Sequence, residues 1–154
     1  MTAIPSISVR PITVRRTSAL APCRQTCVLV RDASSSMWGR KARDAYAASA
    51  ALVAALADPQ NGDTFRCAVV DFSTEAHVVH ALAPARDVAS QLPKIKVGAC
   101  TDIAAGLNLS GALLTGDSST ESQGIRRLQP VVVLYSDGGH NGCGCPQDEA
   151  ARLK

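Results

Sequence analysis

The stretch Cys27-Val28-Leu29-Val30-Arg31-Asp32-Ala33-Ser34-Ser35-Ser36-Met37 decides how this chain is read. It opens with a continuous apolar run that stops at a carboxylate followed by small hydroxyl side chains. A buried parallel strand has this form, because both of its faces are covered and its end must turn over the edge of the sheet. Val131-Val132-Val133-Leu134-Tyr135 repeats the pattern and ends at Ser136-Asp137-Gly138. Phe65 to Phe72 reads as another strand. His77 to Leu82 reads as its antiparallel partner, since only Ser73-Thr74-Glu75 lies between them.

Helices alternate with these strands. Ala42, Tyr46, Ser49, Leu52, Val53 and Leu56 fall on one face at helical spacing, and Asp58-Pro59 closes that segment. Arg86 to Leu92 is a short helix ending before Pro93. Thr101 to Leu114 places Ile103, Leu107, Ser110 and Leu114 in register. Pro146 suits a first helical turn, and Asp148-Glu149 suit its positive dipole end. The order β-α-β-β-α-α-β-α predicts an α/β fold. Its sheet is open, doubly wound, mostly parallel and Rossmann-like, with helices on both faces and one antiparallel edge strand.

A chain of 154 residues allows one domain with an adequate core. A net charge of +3 and 3% aromatic residues argue against nucleic acid as a partner. No apolar run reaches the length of a membrane span, so no membrane partner is expected. Residues 1–24 form a basic N-terminal segment, and residues 25–154 the domain itself. Arg10, Arg15, Arg16, Arg24 and Arg31 precede the first acidic residue. Such a start fits a transit peptide, but Pro5, Pro11 and Pro22 spoil an amphipathic helix. Ile7/Val9 and Ile12/Val14 alternate instead as an added edge strand. Gly116 to Gln129 reads as a polar surface loop.

Asp32, Ser34 and Ser36 place a carboxylate and two hydroxyls at alternate positions where the chain leaves its first strand. Thr101 opens a helix, and Asp137 ends the later strand. In a parallel sheet these loops emerge at one edge, where function usually sits. Oxygen-only ligands suit a hard divalent cation, Mg2+ or Mn2+. The competing reading is that Ser34, Ser36 and Thr101 merely cap helices. That reading leaves the paired aspartates unexplained.

At these residues the chain resembles a bacterial-type von Willebrand factor type A domain with a metal-ion-dependent adhesion site. That site reads Asp-x-Ser-x-Ser, then Thr, then Asp. Asp32, Ser34 and Ser36 match the first element, Thr101 the second and Asp137 the third. Met37, Asp71-Phe72-Ser73 and Thr101-Asp102-Ile103-Ala104-Ala105-Gly106-Leu107 resemble the family's flanks, and the likeness runs from Cys27 to Lys154. It implies that the hydroxyls coordinate the cation, and that the aspartates bind it or hold its waters. A position is left for a carboxylate, Asp or Glu, from a partner protein. The family usually has Gly where Ser35 stands, and a positive φ there would strain a serine. The family also usually continues beyond the helix at Pro146. The expectation is therefore that the Val131–Tyr135 edge is covered by a second chain, by the N-terminal segment or by residues outside this polypeptide.

The function expected is non-catalytic binding of a partner's acidic residue through Mg2+ or Mn2+. The alternatives are a metal-dependent hydrolase or phosphatase using the same aspartates, or a scaffold with a vestigial metal site. The chain has no Gly-x-Ser-x-Gly elbow and no phosphate-binding Gly-x-x-x-x-Gly-Lys-Ser/Thr loop. Cys23 and Cys27 are expected at the opposite sheet edge from Cys143 and Cys145, which argues against a four-cysteine zinc site. Cys67 and Cys100 read as small buried residues, and free thiols suggest a reducing, cytoplasmic location. His77 and His80 are expected on opposite faces of a strand. His140 is placed either at the rim of the site or in a solvated loop.

Overall fold

The computed structural model of the chain describes residues 22–117, 124–142 and 144–154. The expected edge strand around Ile7 to Val14 and the thiol of Cys143 lie outside the described residues. The main elements are β1 (Cys23–Asp32), α1 (Arg40–Leu56), β2 (Phe65–Phe72), β3 (Ala76–Pro84), α2 (Ala85–Gln91), α3 (Ile103–Asp117), β4 (Arg126–Arg127), β5 (Val131–Tyr135) and α4 (Pro146–Arg152). This is the α/β, mostly parallel Rossmann-like architecture that the residue pattern predicts.

β1 lies inside the sheet. It pairs in parallel with β2 from Gln25↔Phe65 to Asp32↔Phe72, and in parallel with β5 from Cys27↔Val131 to Arg31↔Tyr135. β3 is the antiparallel strand beyond β2. The two-residue β4 differs from the sequence expectation of an uninterrupted loop, since Arg126-Arg127 pairs with Cys23-Arg24.

The alternation of side chains along the strands sorts the core into two layers. Cys27, Leu29, Cys67 and Val69 face Val53 of α1 and Val88 of α2. Val28, Val30, Ala68, Val70 and Phe72 face Ile103 and Leu107 of α3. Both faces of β1 and β2 are thus covered, which is why Cys27–Val30 and Cys67–Val70 are continuously apolar. Each fully buried valine contributes about 1.5–3 kcal/mol relative to exposure. α3 reaches the sheet closely only because position 106 is Gly. A Cβ there would stand 2.9 Å from Phe72 Cδ1 and 3.0 Å from Val30 Cγ1.

Two local expectations are corrected. Cys67 is buried, but Cys100 is exposed, because the segment before α3 runs over the surface. A bulge interrupts β3, so that His77 opposes Asp71 and His80 opposes Val69. The register of β3 is therefore irregular between the two histidines, so strict alternation does not hold along that stretch. Among the described residues β5 pairs only with β1, and its Val131 and Leu134 are each 42% exposed. No helix among the described residues is long and apolar enough to cross a membrane.

Candidate functional site

Asp32 is the last residue of β1 and is fully buried. Its Oδ1 accepts the Ser34 backbone N–H at 2.8 Å, and its Oδ2 accepts the Ser136 hydroxyl at 2.7 Å. Both oxygens act as acceptors, as those of a carboxylate do. No Lys, Arg or His pairs with Asp32 among the described residues. A buried carboxylate without a cation is costly.

After Asp32 the chain enters a short 3-10 turn, Ser35–Met37, pinned by the buried Met37. Ser34 precedes this turn without capping it. Its Oγ lies 2.9 Å from Ser36 Oγ, so the two hydroxyls are brought together rather than used as caps. Ser35 adopts no positive φ, since no described residue other than glycine does. The substitution of the family's usual Gly is therefore unstrained.

Thr101 is drawn to this turn by backbone hydrogen bonds from the preceding segment. The Gly98 N–H donates to the Ala33 carbonyl at 2.5 Å, and the Ser35 N–H donates to the Ala99 carbonyl at 3.0 Å. Asp102, not Thr101, caps α3, its Oδ1 accepting the Ala105 N–H at 3.1 Å. The Thr101 hydroxyl is thus left out of the cap, and the capping alternative fails here as well.

Asp137 lies two residues beyond the end of β5 and precedes Gly138, whose φ of 92° only glycine adopts easily. Its carboxylate takes a hydrogen bond from Ser36 and an ion pair from Lys41 of α1, Nζ to Oδ2 at 2.8 Å. The Lys41 ammonium and the Ser36 hydroxyl hold the Asp137 carboxyl below the usual carboxylate range.

Ser36, Thr101 and Asp137 share the wall of a cleft of about 440 Å³, with His140 and Asn141 on its rim. Ser34 and Asp32 follow inward from Ser36, one hydrogen bond at a time. All five sequence-predicted residues therefore fall in one neighbourhood at the C-terminal edge of the sheet. This donor set is oxygen only. Among the described residues no three His, Cys, Asp or Glu side chains gather as a softer metal would require. A buried carboxylate without a protein cation, beside clustered hydroxyls, fits a hard divalent ion.

Three contributors escaped the sequence reading. Ser136 braces Asp32, and Lys41 pairs with Asp137. Asn141 clamps Thr101, accepting its N–H at Oδ1 at 2.7 Å and donating its own N–H to the Thr101 carbonyl at 2.9 Å. The only sequence signal for Ser136 and Asn141 was their place in the loop that follows a buried strand. Lys41 carried none. His140 is a rim residue with a structural task. Its Nδ1 accepts the Ile103 N–H at 3.3 Å and its Nε2 lies 2.8 Å from the Gly144 carbonyl.

The family model for the von Willebrand factor type A domain matches residues 27–140, a span that contains Asp32, Ser34, Ser36, Thr101 and Asp137. The chain belongs to the von Willebrand factor type A family. Comparison of this vWA domain with curated proteins finds no match. Among solved structures it is similar to proximal thread matrix protein 1 from the mussel byssus, at 22% identity and a TM-score of 0.66, covering 86% of this chain and 36% of that one. It is also similar to the vWF domain of the type V pili tip protein Mfa5 from Porphyromonas gingivalis, at 20% identity and a TM-score of 0.62, covering 77% and 39%. The pilus adhesin SpaC from Lactobacillus rhamnosus GG matches at 20% identity and a TM-score of 0.58, covering 77% and 15%. The vWA domain described here thus spans less than half the length of each. At these identities the likeness establishes the fold.

Proposed function

We propose that this vWA domain is a non-catalytic interaction module that grips an Asp or Glu of a protein partner through a divalent cation, Mg2+ or Mn2+. The observation that carries the reading is the buried Asp32, which has two hydrogen-bond donors and no protein cation, next to the paired hydroxyls of Ser34 and Ser36. Asp32, Ser34, Ser36, Thr101 and Asp137 would hold the ion. The ion supplies an electrophilic centre, and the chain's own residues place it at an open cleft rather than in a closed cage. A pilus tip protein and a pilus adhesin among the similar structures support adhesion as the use of this fold. A reducing, cytoplasmic setting for the module is part of the same proposal.

The test combines metal titration with capture. Mg2+ or Mn2+ is expected to raise the melting midpoint with concentration, and Asp137→Ala to abolish that rise. Capture of the partner is expected in Mg2+ and lost in EDTA, with no phosphate released from a chromogenic phosphate ester. Capture indifferent to EDTA and to Asp137→Ala would overturn the adhesion reading. Turnover abolished by Asp32→Asn would establish an enzyme instead.

A further inference from the structure

Lys41 stands where helix electrostatics do not favour it. α1 begins at Arg40 and carries no acidic residue in its first turn, so Arg40, Lys41 and Arg43 all sit at the positive end of the helix dipole. Arg40 is compensated within the helix by Asp44, at 3.4 Å. Lys41 instead crosses to the loop after β5 and places its Nζ 2.8 Å from Asp137 Oδ2. This contact ties α1 to the end of β5 at the mouth of the cleft that contains Ser36 and Thr101.

We infer that Lys41 is a built-in counter-ion of the cation site, a positioning residue that a divalent ion must displace from Asp137 or share it with. The inference rests on the proposed metal-binding reading of the same residues. Its physical content is charge. Asp32 and Asp137 together present two negative charges to an incoming cation, and the Lys41 ammonium leaves one net. An ammonium at hydrogen-bond distance from a ligand carboxylate repels a dication twice as strongly as it would a monovalent ion. With Lys41 more than half exposed, water screens much of this, and an effect of about tenfold on affinity is the right order. Lys41 also holds Asp137 in place while no metal is bound, so that the carboxylate does not collapse onto neighbouring donors. The device weakens ion binding and leaves the site sensitive to the local concentration of divalent ion.

The experiment is calorimetric titration of Mn2+ and Mg2+ into the wild-type chain, Lys41→Met, Lys41→Gln and Lys41→Arg, with melting curves as a second readout. Both neutral variants are expected to bind about tenfold more tightly than wild type. Lys41→Arg, which keeps the charge, is expected to remain near the wild-type affinity. Neutral variants that bind equally or more weakly, while wild type binds and Asp137→Ala does not, would overturn the role of Lys41 and leave the metal site standing. Absence of binding in wild type and in all variants would overturn the metal reading and this inference with it.

Discussion

The Ser136 hydroxyl donates to Asp32 Oδ2 at 2.7 Å, joining the ends of two adjacent strands that are 104 residues apart in sequence. Together with the Ser34 N–H it accounts for both oxygens of a buried carboxylate. Ser136→Ala removes one of these donors while leaving the carboxylate in place. A loss of about 1–3 kcal/mol is expected, the cost of an unsatisfied buried acceptor. Urea unfolding in EDTA measures it free of any metal contribution. An unchanged midpoint would mean that Asp32 is not held as described.

A second buried pair lies one residue earlier on the same strand. Arg31 is fully buried and bonds Asp71 twice, at 2.7 and 3.0 Å, while its remaining nitrogen donates to the Pro93 carbonyl at 2.9 Å. Burial pushes the Asp71 carboxyl up, against the pull of Arg31. Arg31→Met is expected to cost about 3–5 kcal/mol because Asp71 is left without its cation. Arg31→Met with Asp71→Leu is expected to recover most of that loss. Denaturant unfolding of the two variants decides between them, and a double variant as unstable as the single one would contradict this account.

The contact of α3 with the sheet is sterically tight at Gly106. Gly106→Val is expected to force apart α3 and the Phe72–Val30 surface, at about 1–3 kcal/mol. Because α3 begins two residues after Thr101, the same variant is expected to loosen the cleft. Hydrogen exchange at the Thr101 amide, which donates to Asn141, reports that loosening directly.

The lowered carboxyl of Asp137 gives a pH dependence whose sign is fixed. The unfolded chain titrates this group near about 3.9. Stability from the Lys41 and Ser36 contacts is therefore fully present above that value and is lost as pH falls through the lower folded value. The effect is small, about 0.2–1 kcal/mol, since Lys41 is largely solvated. Urea stability of wild type and Asp137→Asn, compared from about pH 5 down to about pH 2, is expected to converge at the acid end.

Among the described residues β5 has no strand on its outer side, and Val131 and Leu134, on opposite faces of this edge strand, are partly open to solvent. Such an edge promotes pairing with another strand. Leu134→Lys is expected to leave the melting temperature nearly unchanged and to reduce self-association in sedimentation experiments. Wild-type chain that stays monomeric at high concentration would remove this edge as a contact surface.

The sequence alone determined the strands, because Cys27–Val30 and Val131–Tyr135 are apolar throughout and Phe65–Phe72 is interrupted only by Arg66 and Asp71. It also determined the ends of those strands, where Asp32 and Asp137 mark the turn into solvent. Tertiary structure alone decided what those carboxylates touch. Ser136, Asn141 and Lys41 are ordinary polar residues in sequence, and their roles arise only when parallel pairing brings distant strand ends side by side. The exposure of Cys100 and the register shifts in β3 between His77 and Ala83 were hidden for the same reason. Periodicity records which face a residue takes within its own element. It carries no information about the path of a loop or about the partner that waits across the sheet.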